Sequence, residues 1–419
     1  MFLKQHILLA SLVLPTLLAA GCAALPGGKA STEPTGRLLI ADPATRSFHA
    51  LDLQDGTSQH LRLPRAVSTL YSSGKPDHVL GVNREGDQVL SLHTGIRYED
   101  HGDHDHWYRQ SPRLSHFLPQ GPRPTHLVTT DSGLAIFYDG RADESHAEVW
   151  FGQVSERGRL EGQKLELGSA KHGAAVVTEQ GVWVSTRSQS NHEGLPDQLS
   201  FFAGNTGAPM HDQQLCDGLH GAAANADWVG FGCNKGVWVH PQISTAGQGH
   251  LILHPEGFDP SSRVGTLWAP SCNKALLGAA GSHFWWVDAE QSTMSPVASF
   301  NNLWQGHQAG RLVSTHSGLI AALNQDGDLY VTELGSETTR RYRQVMDLSN
   351  IDFDTHRRLT LIEAIPGEAL IIGHPTEHRA VWIDLARGKI FDLALPAAGN
   401  ALSWVPNSTA SSRSIQCDA

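Results

Sequence analysis

An all-β ring of radially arranged sheets, a β-propeller, is the fold class this 419-residue sequence predicts, and three observations predict it. From Gly36 onward short apolar or alternating runs separated by turn pairs recur, with no convincing amphipathic helix. The runs group into units of about 45 to 50 residues, the range in which repeats form propellers or other arrays. The two ends hold incomplete sets of strands that complete one another. Arg37 to Ala41 and Ser47 to Leu53 have no innermost strand before them, and Ala401 to Val405 has no partners after it.

Taken in order, a weak first unit starts near Val67 and turns at Glu85-Gly86. The second runs through Thr125 to Thr129, turns at Ser132-Gly133, continues through Leu134 to Tyr138, turns at Asp139-Gly140, and ends with Ala147 to Val154 and Lys164 to Leu167. The third opens on His172 to Val177 and Val182 to Ser185, the fourth on His220 to Ala224, Trp228 to Phe231 and Val237 to Val239. Weaker copies begin near Val264, His307 and Leu359, with hairpin signals at Ser317-Gly318, Asp326-Gly327 and Pro366-Gly367. Seven complete units plus one blade shared by the two ends give eight blades, with seven as the alternative count. Sharing a blade closes the ring and leaves few exposed sheet edges. A two-domain β-sandwich would need a linker, and none follows residue 36.

The first 36 residues are of another kind. Lys4, the apolar run Ile7 to Ala20 interrupted by Pro15, and Gly21-Cys22 fit a secretory signal and are too short for a membrane span. Leu18-Ala-Ala-Gly-Cys22 resembles the bacterial lipobox, which would make Cys22 the lipidated first residue of the mature chain. Residues 1–21 are then a signal peptide, 22–36 a flexible tether, 37–406 a single propeller domain and 407–419 a tail. The expected localisation is the periplasm, with membrane contact only through the lipid at Cys22. Cys216, Cys233, Cys272 and Cys417 are too few and too widely spaced for a cysteine zinc site, so disulfide or buried thiol is their expected fate.

A formal charge of −11 without Lys/Arg clusters offers no footprint for nucleic acid. Histidine stands out instead, with 24 copies, six of which fall into two patterns that suit a metal. Tyr98 to Trp107 reads Tyr-Glu-Asp-His-Gly-Asp-His-Asp-His-Trp; with no apolar period and Gly102 in its middle, it is expected to be a loop. His101, Asp103, His104 and His106 are its candidate ligands. The second pattern is periodic. His126, His172 and His220 stand at the start of the innermost strand in three successive units, where a propeller brings side chains to its axis. Imidazole nitrogen and carboxylate oxygen both suit Zn(II), which favours four ligands. His307 occupies a similar place two units later.

Strand alternation sends the Tyr98 to Trp107 insertion out of the mouth opposite these three histidines. More than twenty residues could still wrap over the rim. Two versions therefore stand, one in which the insertion completes the axial site and one in which it forms a separate, capturing site. The same alternation puts Cys216 and Cys233 at one mouth and makes a disulfide between them geometrically plausible.

With His101-Gly-Asp-His-Asp-His106, Gly121-Pro-Arg-Pro-Thr-His126, Phe137-Tyr-Asp-Gly140, Lys171-His-Gly173, Cys216-Asp-Gly-Leu-His-Gly221, Phe231-Gly-Cys233 and Arg263-Val-Gly-Thr266 in view, the sequence resembles the bacterial periplasmic zinc metallochaperones. These are β-propellers that deliver zinc to the solute-binding protein of a zinc ABC importer. The resemblance covers about residues 37 to 405. It implies that His126, His172 and His220 hold Zn2+, that the loop histidines assist binding or transfer, and that Cys216 pairs with Cys233. It also implies a non-enzymatic protein, expected to be monomeric, whose partner is the importer's periplasmic zinc-binding protein. The apparent lipid anchor and weaker motifs after residue 270 depart from that pattern. The alternatives are a zinc-dependent hydrolase or lactonase on a propeller, and an envelope scaffold lipoprotein without metal.

Overall fold

The computed structural model describes residues 33–408 except 74, 103, 143, 189–193, 205–213, 243–248, 260, 271–272 and 357. The expected leader, Cys22, Asp103, Cys272 and Cys417 lie outside the described residues. Eight four-stranded antiparallel sheets form the molecule, so the count of eight blades is the correct one. The first blade consists of Thr69–Ser72, His78–Asn83, Gln88–His93 and Arg113–Phe117, and the second of Pro124–Thr130, Gly133–Tyr138, Glu148–Val154 and Leu160–Glu166. The third, fourth, fifth, sixth and seventh start with the innermost strands Ala175–Thr178, Ala222–Ala224, Thr266–Trp268, Gln308–Val313 and Leu361–Glu363.

The eighth blade joins the chain ends. Its innermost strand is Leu402–Val405, followed outward by Arg37–Asp42, Ser47–Asp52 and Ser58–Arg62. Arg37 faces Val405 and Ile40 faces Leu402 across the antiparallel seam.

The core follows from this arrangement. Strands apolar on both faces, such as Leu319–Asn324 and Gly133–Tyr138, are buried along their whole length. Each of the eight apolar clusters joins two neighbouring blades, as where Leu80 and Val89 of the first blade meet Ile136 and Tyr138 of the second. Trp183 and Trp238 pack against each other between the third and fourth blades, with ring centroids 4.9 Å apart. The described helix Ala298–Asn301 spans four residues and carries Phe300 into the cluster between the fifth and sixth blades.

One expectation changes. The His-rich insertion is a β-hairpin, Ile96–Asp100 paired with Asp105–Arg109, and not an irregular loop. Tyr98 faces Trp107 with ring centroids 4.6 Å apart, a cross-strand aromatic pair that holds the register. Gly102, at φ +83°, makes the tight turn, and the His101 N–H donates to the His104 carbonyl at 2.9 Å.

The hairpin base is fastened to the eighth blade. Fully buried Arg37 holds Asp52 through two hydrogen bonds of 3.0 and 2.7 Å, and its remaining nitrogen donates to the carbonyls of Thr94 and Gln110 at 3.0 and 2.8 Å. Arg109 adds an ion pair to Asp55 at 3.1 Å.

Candidate metal centre

Three imidazoles from three blades meet at one mouth of the ring. His126 lies on the innermost strand of the second blade, displaced by an irregularity in register just after Pro124. His172 comes three residues before the innermost strand of the third blade, and His220 two before that of the fourth. The Nε2 atoms of His126 and His172 are 3.0 Å apart, and those of His172 and His220 are 3.2 Å apart. One ring nitrogen from each residue lies within 4.8 Å of the other two. Bonds of ~2.0 Å to a tetrahedral ion require nitrogens about 3.3 Å apart, so modest movement of one ring makes three vertices of that tetrahedron.

Two of the rings are aimed by partners that the sequence does not place beside them. His172 Nδ1 lies 3.1 Å from Asp139 Oδ2. A carboxylate only accepts, so Nδ1 carries the proton and the Nε2 lone pair is free to face the other imidazoles. Asp139 is itself held by Arg84, whose Nη2 donates to the same oxygen at 2.7 Å. Burial alone would raise the Asp139 carboxyl, but its bonds to His172 and Arg84 keep it below its ordinary value. His220 Nδ1 donates to the Gly265 carbonyl of the next blade at 2.6 Å, which fixes the same tautomer.

The backbone around His220 is equally determined. Its N–H donates to Gly232 at 2.9 Å, and the Cys216–Cys233 disulfide, with Cα atoms 5.2 Å apart, ties the two segments together. A Cβ on Gly232 would come within 2.0 Å of the Val264 carbonyl and 2.7 Å of that of His220, so no larger residue fits this approach.

Protonation follows burial. Burial pushes the His126 imidazole down to about 3, and His172 and His220 add to the effect. His220 is lowered by burial and then by the charges of His172, Arg263 and Arg358. A cavity of about 850 Å3 runs along the axis from His126 and His220 toward Lys75 and Asp131 at the far mouth.

The other sequence candidates lie elsewhere. His101, His104 and His106 cluster at the hairpin tip, their ring centroids 5.0 to 5.2 Å apart, all exposed. The hairpin base rests on the mouth opposite the axial three, as strand alternation requires, through Thr94 to Asp77 and Arg37 to Gln110. His307 is exposed, and the axial group does not include it. Sequence reading missed Asp139, Arg84 and the Gly265 carbonyl. The only signal was that Asp139 and Gly265 sit inside motifs already singled out.

No family model matches the chain. A curated relative, the zinc chaperone AztD of Citrobacter koseri, is 24% identical over 244 residues, which are 58% of this chain and 56% of that protein. The crystal structure of that AztD aligns with a TM-score of 0.73 at 19% identity, covering 88% of this chain and 97% of that one. The resemblance read from the sequence holds. The apo AztD structure aligns at 0.72 with 18% identity over the same shares of the two chains, and a more distant likeness, the dihydro-heme d1 dehydrogenase NirN, aligns at 0.55 with 10% identity. The match to the curated relative spans about half of each sequence, whereas the shared fold spans nearly all of the solved AztD chain.

Proposed function

We propose that this protein is a periplasmic zinc metallochaperone, which binds Zn(II) through His126, His172 and His220 and passes it to the substrate-binding protein of a zinc ABC importer. The observation that carries this reading is the convergence of three Nε2 atoms from three separate blades. The name of the curated relative, a zinc chaperone, supports it. Three neutral imidazoles supply affinity, and the fourth position of a tetrahedral ion stays open to an incoming ligand. A carrier needs that opening, because exchange proceeds one ligand at a time.

His101, His104 and His106, exposed at the hairpin tip, act as a separate capture or transfer site, to which Asp103 belongs by its place in the sequence. A carrier is favoured over a hydrolase because the acids of the hairpin lie at the opposite mouth, and Asp139, the carboxylate beside the imidazoles, orients His172 and binds Arg84 through Oδ2. Cys22 anchors the chain to the membrane as a lipoprotein, and it acts as a monomer. Equilibrium dialysis against Zn(II) tests the reading. Wild type retains at least one equivalent at neutral pH, and the His126→Ala, His172→Ala, His220→Ala triple variant loses the tight equivalent; a variant that binds as well as wild type refutes it.

A further inference from the structure

The mouth that holds the three imidazoles is not symmetric. On the side of the first and second blades its arginines are paired with acids: Arg84 with Asp139 and Glu85, Arg141 with Asp87, Arg123 with Glu85. On the side of the fifth to seventh blades the outer-strand arginines are paired as well, Arg341 with Asp328 and Arg379 with Asp392, but the arginines on or just before the innermost strands are not. Among the described residues Arg263, Arg311 and Arg358 make no ion pair with a carboxylate, in a chain whose acids outnumber its Lys and Arg by 42 to 31.

Their placement repeats that of the histidines. Arg263 stands three residues before the innermost strand of the fifth blade and Arg358 three before that of the seventh, the position His172 holds in the third. Arg358 lines the same axial cavity as His126, His220 and Thr266, and Arg263 stands two residues before Gly265, whose carbonyl accepts from His220 Nδ1. Arg311, on the innermost strand of the sixth blade, donates to Thr266 Oγ1 at 2.7 Å and lies over the Trp268 ring at 5.3 Å. Burial, with Arg358 adding to it, lowers that guanidinium to about 10.

Positive charges beside a site for a divalent cation repel the ion. An anion placed between them reverses the sign of that interaction. A carboxylate meets both demands, since one oxygen can coordinate zinc while the other accepts from a guanidinium.

We propose that the Arg263 and Arg358 wall is a carboxylate-binding site, which holds a ligand carboxylate with one oxygen in the coordination position that His126, His172 and His220 leave open. The proposal rests on the zinc reading and deepens it, because the same carboxylate is the group through which the ion enters or leaves. A free small carboxylate and an Asp or Glu side chain of a docking protein share this chemistry.

Isothermal titration of sodium succinate into zinc-loaded and zinc-free protein tests it, with an Asp/Glu-rich peptide as a second arm. Succinate binds the wild type, more tightly with zinc than without, and added NaCl weakens it. The Arg263→Gln, Arg358→Gln variant loses about tenfold or more in both states, while zinc titrated alone still binds that variant. Replacement of both by Lys keeps the charge and restores part of the affinity. Absent succinate and peptide binding, or binding unchanged in the Gln variant, overturns the proposal even where zinc binding is intact. Should zinc itself not bind the wild type, the carrier reading fails and the zinc-free titration still decides the carboxylate site. A peptide that binds more tightly than succinate assigns the carboxylate to a protein side chain, and the reverse order assigns it to a free acid.

Discussion

The axial histidines and the hairpin histidines are the same three imidazoles in number and lie about equally far apart, with ring centroids 4.8 to 5.4 Å apart in one group and 5.0 to 5.2 Å in the other. They differ in what holds them. The axial three come from three blades, are half-buried, and two have their Nδ1 bonded to a group from elsewhere in the chain. The hairpin three come from one short turn, are exposed, and rest on a two-stranded ribbon. A two-stranded ribbon is marginal by itself, so its tip gives its ligands little preorganisation. Local density of ligand types therefore marks a place where an ion can be met. Long-range convergence marks one where it can be kept.

Removing one imidazole from each group is the strongest way to break this comparison. His172→Ala is expected to weaken zinc binding at the tight site on the order of 10³-fold, because two ligands no longer define a tetrahedral site. His101→Ala, His104→Ala and His106→Ala together leave that site within about tenfold, as read by competition with a chromogenic chelator.

Support can be removed instead of ligands. Cys216→Ser with Cys233→Ser opens a bridge across 17 residues and should cost about 3 kcal/mol of folding stability, measured by urea denaturation. Replacing the three hairpin histidines should leave stability within about 0.5 kcal/mol. Asp139→Asn should lower zinc affinity about ten- to a hundredfold, since it removes the carboxylate that sets the His172 tautomer while leaving all three ligands in place. No single substitution outside the hairpin should weaken binding at its tip as much.

The smallest effect concerns the base of the hairpin. There the buried His93 imidazole is pushed down to about 4, first by burial and then by the charges of Arg113 and His78. The folded chain keeps His93 neutral, whereas the unfolded chain takes up a proton below 6.5. Stability is therefore lost as pH falls from 6.5 toward about 4, by about 2 kcal/mol after allowance for solvent screening. In His93→Gln that part of the pH dependence should disappear from denaturation curves taken at pH 7 and pH 4.5.

How much of this was legible in the sequence follows the same division. The blade period could be read because each unit repeats its own turns and apolar runs, and it placed His126, His172 and His220 in phase. The blade count and the closing seam followed from strands left without partners. The hairpin was read as a loop because its polar residues hide the alternation, although Tyr98 and Trp107 flank Gly102 at a spacing that suits cross-strand pairing. Asp139, Arg84 and the Gly265 carbonyl were invisible, since contacts between blades join residues about 33 to 55 positions apart that no local pattern relates.

The seam has a consequence in time. Leu402–Val405 is synthesised after the strands of the seven other blades, yet it is the innermost strand of a blade whose other three strands precede them all. Until it arrives, the N-terminal sheet offers a bare edge at Arg37–Ile40 and the ring cannot lock. Such a closure, spanning more than 360 residues, is entropically slow and cannot be completed until Val405 has been made. A polypeptide built this way stays threadable while its blades are being made and becomes rigid only once the closing strand is in place.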